Sequence, residues 1–234
     1  MKKKLKLPNI SLLAIAHKKD VDQTQISMKI SSENIDFGTI KLLTSAQPKI
    51  KYPDIEYVPI KPMNLEEFNK TMIEDLHKHF ETTHCLFVQA DSFVVNHKLW
   101  KDEFLKYDYI GAPWSDELVI NENLVLNVKK NPVGNGGFSL RSHKLLRATA
   151  KIDYDSLKFP LKSEDVVVCH YLYDKMIEEG IKFAPPKLAS QFSIENVNNL
   201  YGQNLDSVFG FHGKHLREHF LKKYVLSRVV KKED

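Results

Sequence analysis

A short apolar run, His84-Cys85-Leu86-Phe87-Val88, leads directly into Gln89-Ala90-Asp91. A strand that stops at a carboxylate leaves it at the rim of a sheet, where α/β proteins bind their ligands. Such a carboxylate can hold a divalent cation through hard oxygen, often with an imidazole beside it. His212, in Phe211-His212-Gly213, is of the right type to complete that site. Lys214, two residues on, can meet a phosphate oxygen as a point charge. Each residue also has a plainer reading. Asp91 can be a surface aspartate before a loop, His212 one of ten histidines closing a strand, and Lys214 a solvated side chain.

Three of the nine glycines stand together in Gly134-Asn135-Gly136-Gly137. Glycine admits a ligand close to the backbone, although Asn-Gly is also the commonest hairpin dipeptide. No Lys-Ser or Lys-Thr follows, so this is not a P-loop. Glu164 and Asp165 follow Ser163, a predicted helix cap. The helix dipole there favours ionised carboxylates, whereas burial would raise their pKa. An ionised carboxylate within reach of a hydroxyl can act as a general base; ordinary first-turn acidic residues look the same. Trp114, after Gly111-Ala112-Pro113, can offer an aromatic face to a sugar ring, while Tyr107 and Tyr109 read as core.

Strand-like runs alternating with amphipathic helices must position these groups, which argues for βαβ construction and a mainly parallel sheet flanked by helices. Strands are predicted at 11–16, 38–44, 84–89 and 137–141, with a further pair within 118–128. Strand-like stretches recur at 181–184 and 207–211. The clearest helix is 64–80, with Asn64 and Glu67 forming a capping box and Met63 and Phe68 a staple. Further helices are expected near 98–105, over 164–179 with Gly180 as its stop, and over 214–230.

With 234 residues, 42% hydrophobic and 27% charged, the chain reads as one globular domain spanning 1–234. Its net charge of +4 resides largely in Lys2, Lys3, Lys4 and Lys6 and in Lys222, Lys223, Arg228, Lys231 and Lys232. These lysines are not interleaved with aromatics, so a nucleic-acid partner is not expected. Cys85 and Cys169 lie in apolar runs and read as buried free thiols, which points to a reducing, cytoplasmic setting. Pro8, Asn9 and Ser11 interrupt the N-terminal run, which therefore reads as a strand and not a signal peptide. The sequons at Asn9 and Asn69 are expected to be idle. The basic C-terminal helix could rest peripherally on an anionic membrane, or fold its apolar face against the domain.

Four strings taken together resemble the GT-A superfamily of glycosyltransferases. They are Phe87-Val88-Gln89-Ala90-Asp91-Ser92, Tyr107-Asp108-Tyr109-Ile110-Gly111-Ala112-Pro113-Trp114, Val133-Gly134-Asn135-Gly136-Gly137-Phe138-Ser139-Leu140-Arg141-Ser142 and Glu164-Asp165-Val166. The second and third are similar to strings in a family of uncharacterised glycosyltransferase-like proteins. The resemblance implies a Rossmann-like sheet, a nucleoside diphosphate sugar donor and a divalent ion, Mn2+ or Mg2+. It implies metal ligation by Asp91 and His212, with neutral Gln89 standing where the superfamily has a first carboxylate. It further implies donor contacts from Ala16, His17, Gln89, Asp91, Asn135, Gly136, Gly137 and Lys214. Catalysis would fall to the Glu164-Asp165 pair, with Asp165 as base and inversion at the anomeric carbon. Trp114 would border the acceptor, which could be a glycan, a lipid-linked intermediate or a small molecule.

Two other readings share much of this pattern. A nucleotide-sugar-binding protein without catalysis is compatible with Gln89. A nucleotidyltransferase would also use a strand-end aspartate and a metal, but Ala16-His17-Lys18-Lys19-Asp20 lacks the glycines its first loop usually carries.

Overall fold

The computed structural model describes residues 4–196 and 200–229. Strand β1 (Leu5–Ala16) is followed by α1 (Val21–Ser32), β2 (Ile35–Thr44), β3 (Glu56–Pro59) and α2 (Leu65–Glu74). Then come β4 (His84–Val88), β5 (Ser92–Val94), β6 (Tyr109–Ile110), β7 (Glu117–Asn121), β8 (Leu124–Asn127) and β9 (Phe138–Ser142). The remainder comprises α3 (His143–Thr149), α4 (Glu164–Val166), α5 (Tyr173–Glu178), α6 (Pro186–Phe192), β10 (Ser193–Ile194), β11 (Gly210–His212) and α7 (Lys214–Val229).

Six strands form the central sheet in the order β3-β2-β1-β4-β9-β6. The first four are mutually parallel, and β9 runs antiparallel to both β4 and β6. This is the mainly parallel, helix-flanked α/β architecture expected. Parallel strands covered on both faces need continuous apolar runs, and Leu12, Leu13, Ala14, Leu86, Phe87 and Val88 are all buried.

Strand β1 begins six residues earlier than its apolar run. Its register slips between Leu7 and Ser11, a bulge that accommodates Pro8, which has no N–H to donate. Gly38 lies opposite the bulge, where a Cβ would collide with the Pro8 carbonyl.

A second sheet, β10-β11-β5, and the β7-β8 hairpin complete the strands. The chain therefore leaves the central sheet at the end of β4 and enters the second sheet at Ser92. Asp91 sits at that junction.

Several helices depart from their predicted form. The capping box of Asn64 and Glu67 is present, but α2 ends at Glu74 and a 3₁₀ turn, Leu76–His79, continues the run. The expected helix 164–179 is split by a π-helical turn, Val167–Tyr171, and Gly180 closes it at φ +75°. Ser163 makes no capping bond; instead Asn69 Oδ1, reaching from α2, accepts from the Glu164 N–H at 3.0 Å. Asn69 is buried in that role. Residues 98–105 form two 3₁₀ turns, and 181–184 contributes only a bridge between Phe183 and Tyr109.

Helix α7 buries Leu216 and Phe220 against Phe93, Ile194 and Phe211, so its apolar face is turned to the domain. Lys231, Lys232 and Val230 lie outside the described residues. Cys85 and Cys169 are buried and unpaired. Among the described residues no helix is long and apolar enough to cross a membrane.

Candidate active site

The turn that carries Asp91 is held from three sides. The Ala90 carbonyl accepts from Gln23 Nε2 at 3.1 Å, Ser27 Oγ at 2.9 Å and Arg217 Nε at 3.0 Å. The Gly213 N–H donates to the Asp91 carbonyl at 3.1 Å. Ser92 Oγ accepts from the Gln89 N–H and donates to the Gly137 carbonyl, each at 2.8 Å. Helices α1 and α7 and the glycine segment are thereby locked to one four-residue turn.

Antiparallel pairing of β5 with β11 sets His212 opposite Ser92, which brings His212 and Asp91, 121 positions apart in sequence, into contact. His212 Nε2 lies 3.4 Å from Asp91 Oδ1, and His212 Nδ1 lies 3.1 Å from Glu195 Oε1. Burial opposes the charged imidazole, but the two carboxylates outweigh it and push the His212 pKa up to about 9. Burial likewise raises Asp91, yet the bond and charge of His212, with Lys214 further off, hold it below its ordinary value.

The glycine segment runs past this pair. A Cβ at Gly137 would collide with the His212 ring, and one at Gly136 with Glu164 Oε1. The Gly136 N–H donates to Asp165 Oδ2 at 3.0 Å, and Asp165 Oδ1 accepts from the Val166 N–H at 2.8 Å. Burial, reinforced by the charge of Glu164, raises the Asp165 pKa to about 7 against those two bonds and Arg141. Two adjacent glycines thus carry Asp165 at one and the His212–Asp91 pair at the other.

Beneath them Arg141, 2% exposed, donates to both oxygens of Glu164, 4% exposed, at 2.6 and 2.7 Å. The same guanidinium donates to Ser139 Oγ and the Gly136 carbonyl. Glu164 therefore has its oxygens engaged and supports the loop; the catalytic share expected for it is corrected to a structural one. Trp114 is corrected too. Only 5% exposed, it packs its ring on Gly134 inside the core and has no open face for an acceptor.

A cleft of about 600 Å³ opens beside Asp91, lined by His17, Asp20, Gln23, Asn64, Phe68, Gln89 and Lys214 among others. It lies between the ends of β1 and β4 and the start of α2; Ala16, expected among the donor contacts, is buried and does not line it. His17 Nδ1 is bonded to Ser45 Oγ at 2.8 Å. Among the described residues nothing pairs with His17 Nε2 or with the Oδ1 of buried Asn135. The sequence did not assign Asp20, Gln23, Arg141 or Glu195 to the site, and it marked Asn64 and Phe68 only as a helix cap and staple. Only Arg141 had a signal, its place in the third motif string.

Facing carboxylate oxygen and imidazole nitrogen suit a divalent ion of the Mn2+ or Mg2+ kind. Among the described residues no cluster of three or more metal-ligating side chains occurs. The donor set therefore fits an ion shared with a ligand's phosphates, the manner in which Mg2+ is commonly held, and not an all-protein cage.

The mainly parallel sheet with its flanking helices shares the GT-A fold of solved glycosyltransferases. A solved structure of the galactosyltransferase LgtC, in complex with donor and acceptor sugar analogues, is 11% identical over 86% of each chain, with a TM-score of 0.50. An active-site mutant of LgtC is 11% identical over 91% of this chain and 95% of its own, with a TM-score of 0.52. No functionally curated protein matches the chain. Residues 49–212 match the model of a family described as protein of unknown function, DUF5672, and the chain belongs to that family.

Proposed function

We propose that this protein is a glycosyltransferase that moves a sugar from a nucleoside diphosphate sugar to an acceptor hydroxyl, with inversion. One observation carries the reading: Gly136 and Gly137 hold a carboxylate base candidate on one side and the His212–Asp91 pair on the other. A donor whose anomeric carbon lies over these glycines would have its diphosphate toward Asp91 and Lys214 and its acceptor face toward Asp165. Its nucleoside would occupy the cleft by His17, Asp20 and Phe68, with Gln89 at the boundary and the Asn135 amide near the sugar.

The reaction is a single displacement. Asp165 accepts the acceptor's hydroxyl proton while that oxygen bonds to the anomeric carbon. The bond from that carbon to the diphosphate oxygen breaks, and the diphosphate leaves with the electron pair. A base near pKa 7 is matched to neutral pH, where general base catalysis contributes about 10²–10⁴ in rate. Asp91 and His212 would hold a divalent ion, which, when bound, neutralises negative charge on the leaving diphosphate. Lys214 adds a point charge, and Arg141 with Glu164 keeps the glycine backbone in place.

Gln89 favours a second reading, binding of a nucleotide sugar without turnover, because it removes one anionic ligand. A panel of nucleotide sugars, assayed for binding and slow hydrolysis with and without Mn2+, separates the two. Transfer predicts a donor hydrolysed by the wild type, with turnover lost in Asp165→Asn and binding weakened in Asp91→Ala. Binding with no turnover, unaffected by Asp165→Asn, would establish the second reading.

A further inference from the structure

We infer that Glu195 is the positioning residue for the metal site, fixing the His212 ring so that its Nε2 faces the ion; this rests on the metal reading proposed above. Parallel pairing of β10 with β11 aligns Ile194 with Phe211. Glu195 directly follows β10 and His212 ends β11, which sets the two side chains beside each other. Glu195 Oε1 lies 3.1 Å from Nδ1, while Nε2 points to Asp91 Oδ1 at 3.4 Å. The backbone at Gly137 closes on the ring edge that bears Cδ2 and Nε2, which limits rotation on that side. With Nδ1–H bonded to Glu195, the lone pair available to an ion is the one on Nε2.

A carboxylate on the remote nitrogen of a ligating histidine orients the ring and raises its basicity, and losing it typically costs about 10–100-fold in metal affinity. Glu195 is not among the described residues that line the cleft, so it acts through His212. Its position just past a two-residue strand explains why no sequence motif marks it.

Mn2+ binding to the full chain, followed by loss of the free-ion EPR signal, tests the role without any turnover. Asp91→Ala is expected to abolish uptake, which locates the ion. Glu195→Ala should bind about 10–100-fold more weakly than wild type. Glu195→Gln, whose amide carbonyl can still accept from Nδ1–H, should recover part of that loss. Wild-type affinity in Glu195→Ala overturns the inference, as does a Glu195→Gln variant no better than Glu195→Ala. A wild-type chain that takes up no Mn2+ overturns the metal reading and this role together, and that failure appears in the wild type, not in the variants alone. Glu195→Gln is isosteric, so the comparison survives even if the alanine variant folds poorly.

Discussion

Arg141 and Glu164 form a two-bond ion pair sealed beneath Gly136, with the guanidinium also bonded to the Gly136 carbonyl and to Ser139. The pair joins β9 to the start of α4, so the loop that borders the site and the helix that presents Asp165 are fixed relative to each other. Removing one partner leaves the other charge buried and unpaired. Arg141→Met is therefore expected to destabilise the protein by about 3–5 kcal/mol, read as a lowered urea midpoint. Arg141→Met with Glu164→Leu should recover much of that loss, because an apolar pair of similar volume suits the same cavity. If the double variant is no more stable than the single one, the pair is not the source of the loss.

Asp165 gives a pH signature of defined sign. Its folded-state pKa, about 7, lies above the unfolded value near 3.8. The stability it contributes is thus present below about pH 4 and is lost as pH rises through about 7. Asp165→Asn should flatten the stability profile across that window, measured by denaturant unfolding at successive pH values. Catalysis runs the opposite way, since the base must be ionised. With a donor in hand, kcat/KM is expected to rise through about pH 7 and level off above it.

How much of this was legible beforehand depended on whether the signal was local. The central strand β4 and its terminal Asp91 could be read because an apolar run ends abruptly at a carboxylate. The glycine loop could be read because three of nine glycines are concentrated there. Helix α1 could not. Its buried residues intersperse Val21, Met28 and Ile30 with Thr24, Ser27 and Ser31, whose hydroxyls bond to the carbonyls of Asp20, Ala90 and Ser27, so the apolar stripe is too broken to detect. The π-helical turn at Val167–Tyr171 is hidden for the opposite reason, because its residues continue an ordinary apolar helical run. Glu195 depends on strand register, and Trp114 on the depth of the loop around it; neither is a property of neighbouring residues. The tilt of Asn69 into the Glu164 N–H likewise links positions 95 apart.

Gly137 has a role set by close approach and not by an unusual backbone angle, since its φ is not among the positive ones. Gly137→Ala places a methyl group against the His212 imidazole. Overpacking of this kind costs about 1–3 kcal/mol, and here it should also displace the ring from Asp91. The expected result is a modest fall in melting temperature with a disproportionate loss of Mn2+ binding. Gly202→Ala, where a Cβ meets nothing but the backbone is left-handed at φ +74°, serves as the contrast: destabilised, with Mn2+ binding kept.

Lys214 offers the cleanest separation of donor binding from chemistry. It opens α7, is exposed, and lines the cleft on the same side as Asp91, near enough that its charge helps hold the Asp91 pKa down. A solvated ammonium meets a diphosphate equally in the bound donor and in the departing product, so its attraction is mostly uniform binding. Lys214→Ala should therefore raise KM for the donor several-fold while leaving kcat within about twofold. Screening is strong for exposed charges beyond about 8–10 Å at physiological salt, so the difference from wild type should shrink as NaCl is raised from low concentration. Asp165→Asn should show the reverse pattern, a fall in kcat with KM little changed. A Lys214→Ala variant that instead loses kcat at unchanged KM would mean that the lysine acts on the transition state, and would move it from binding into catalysis.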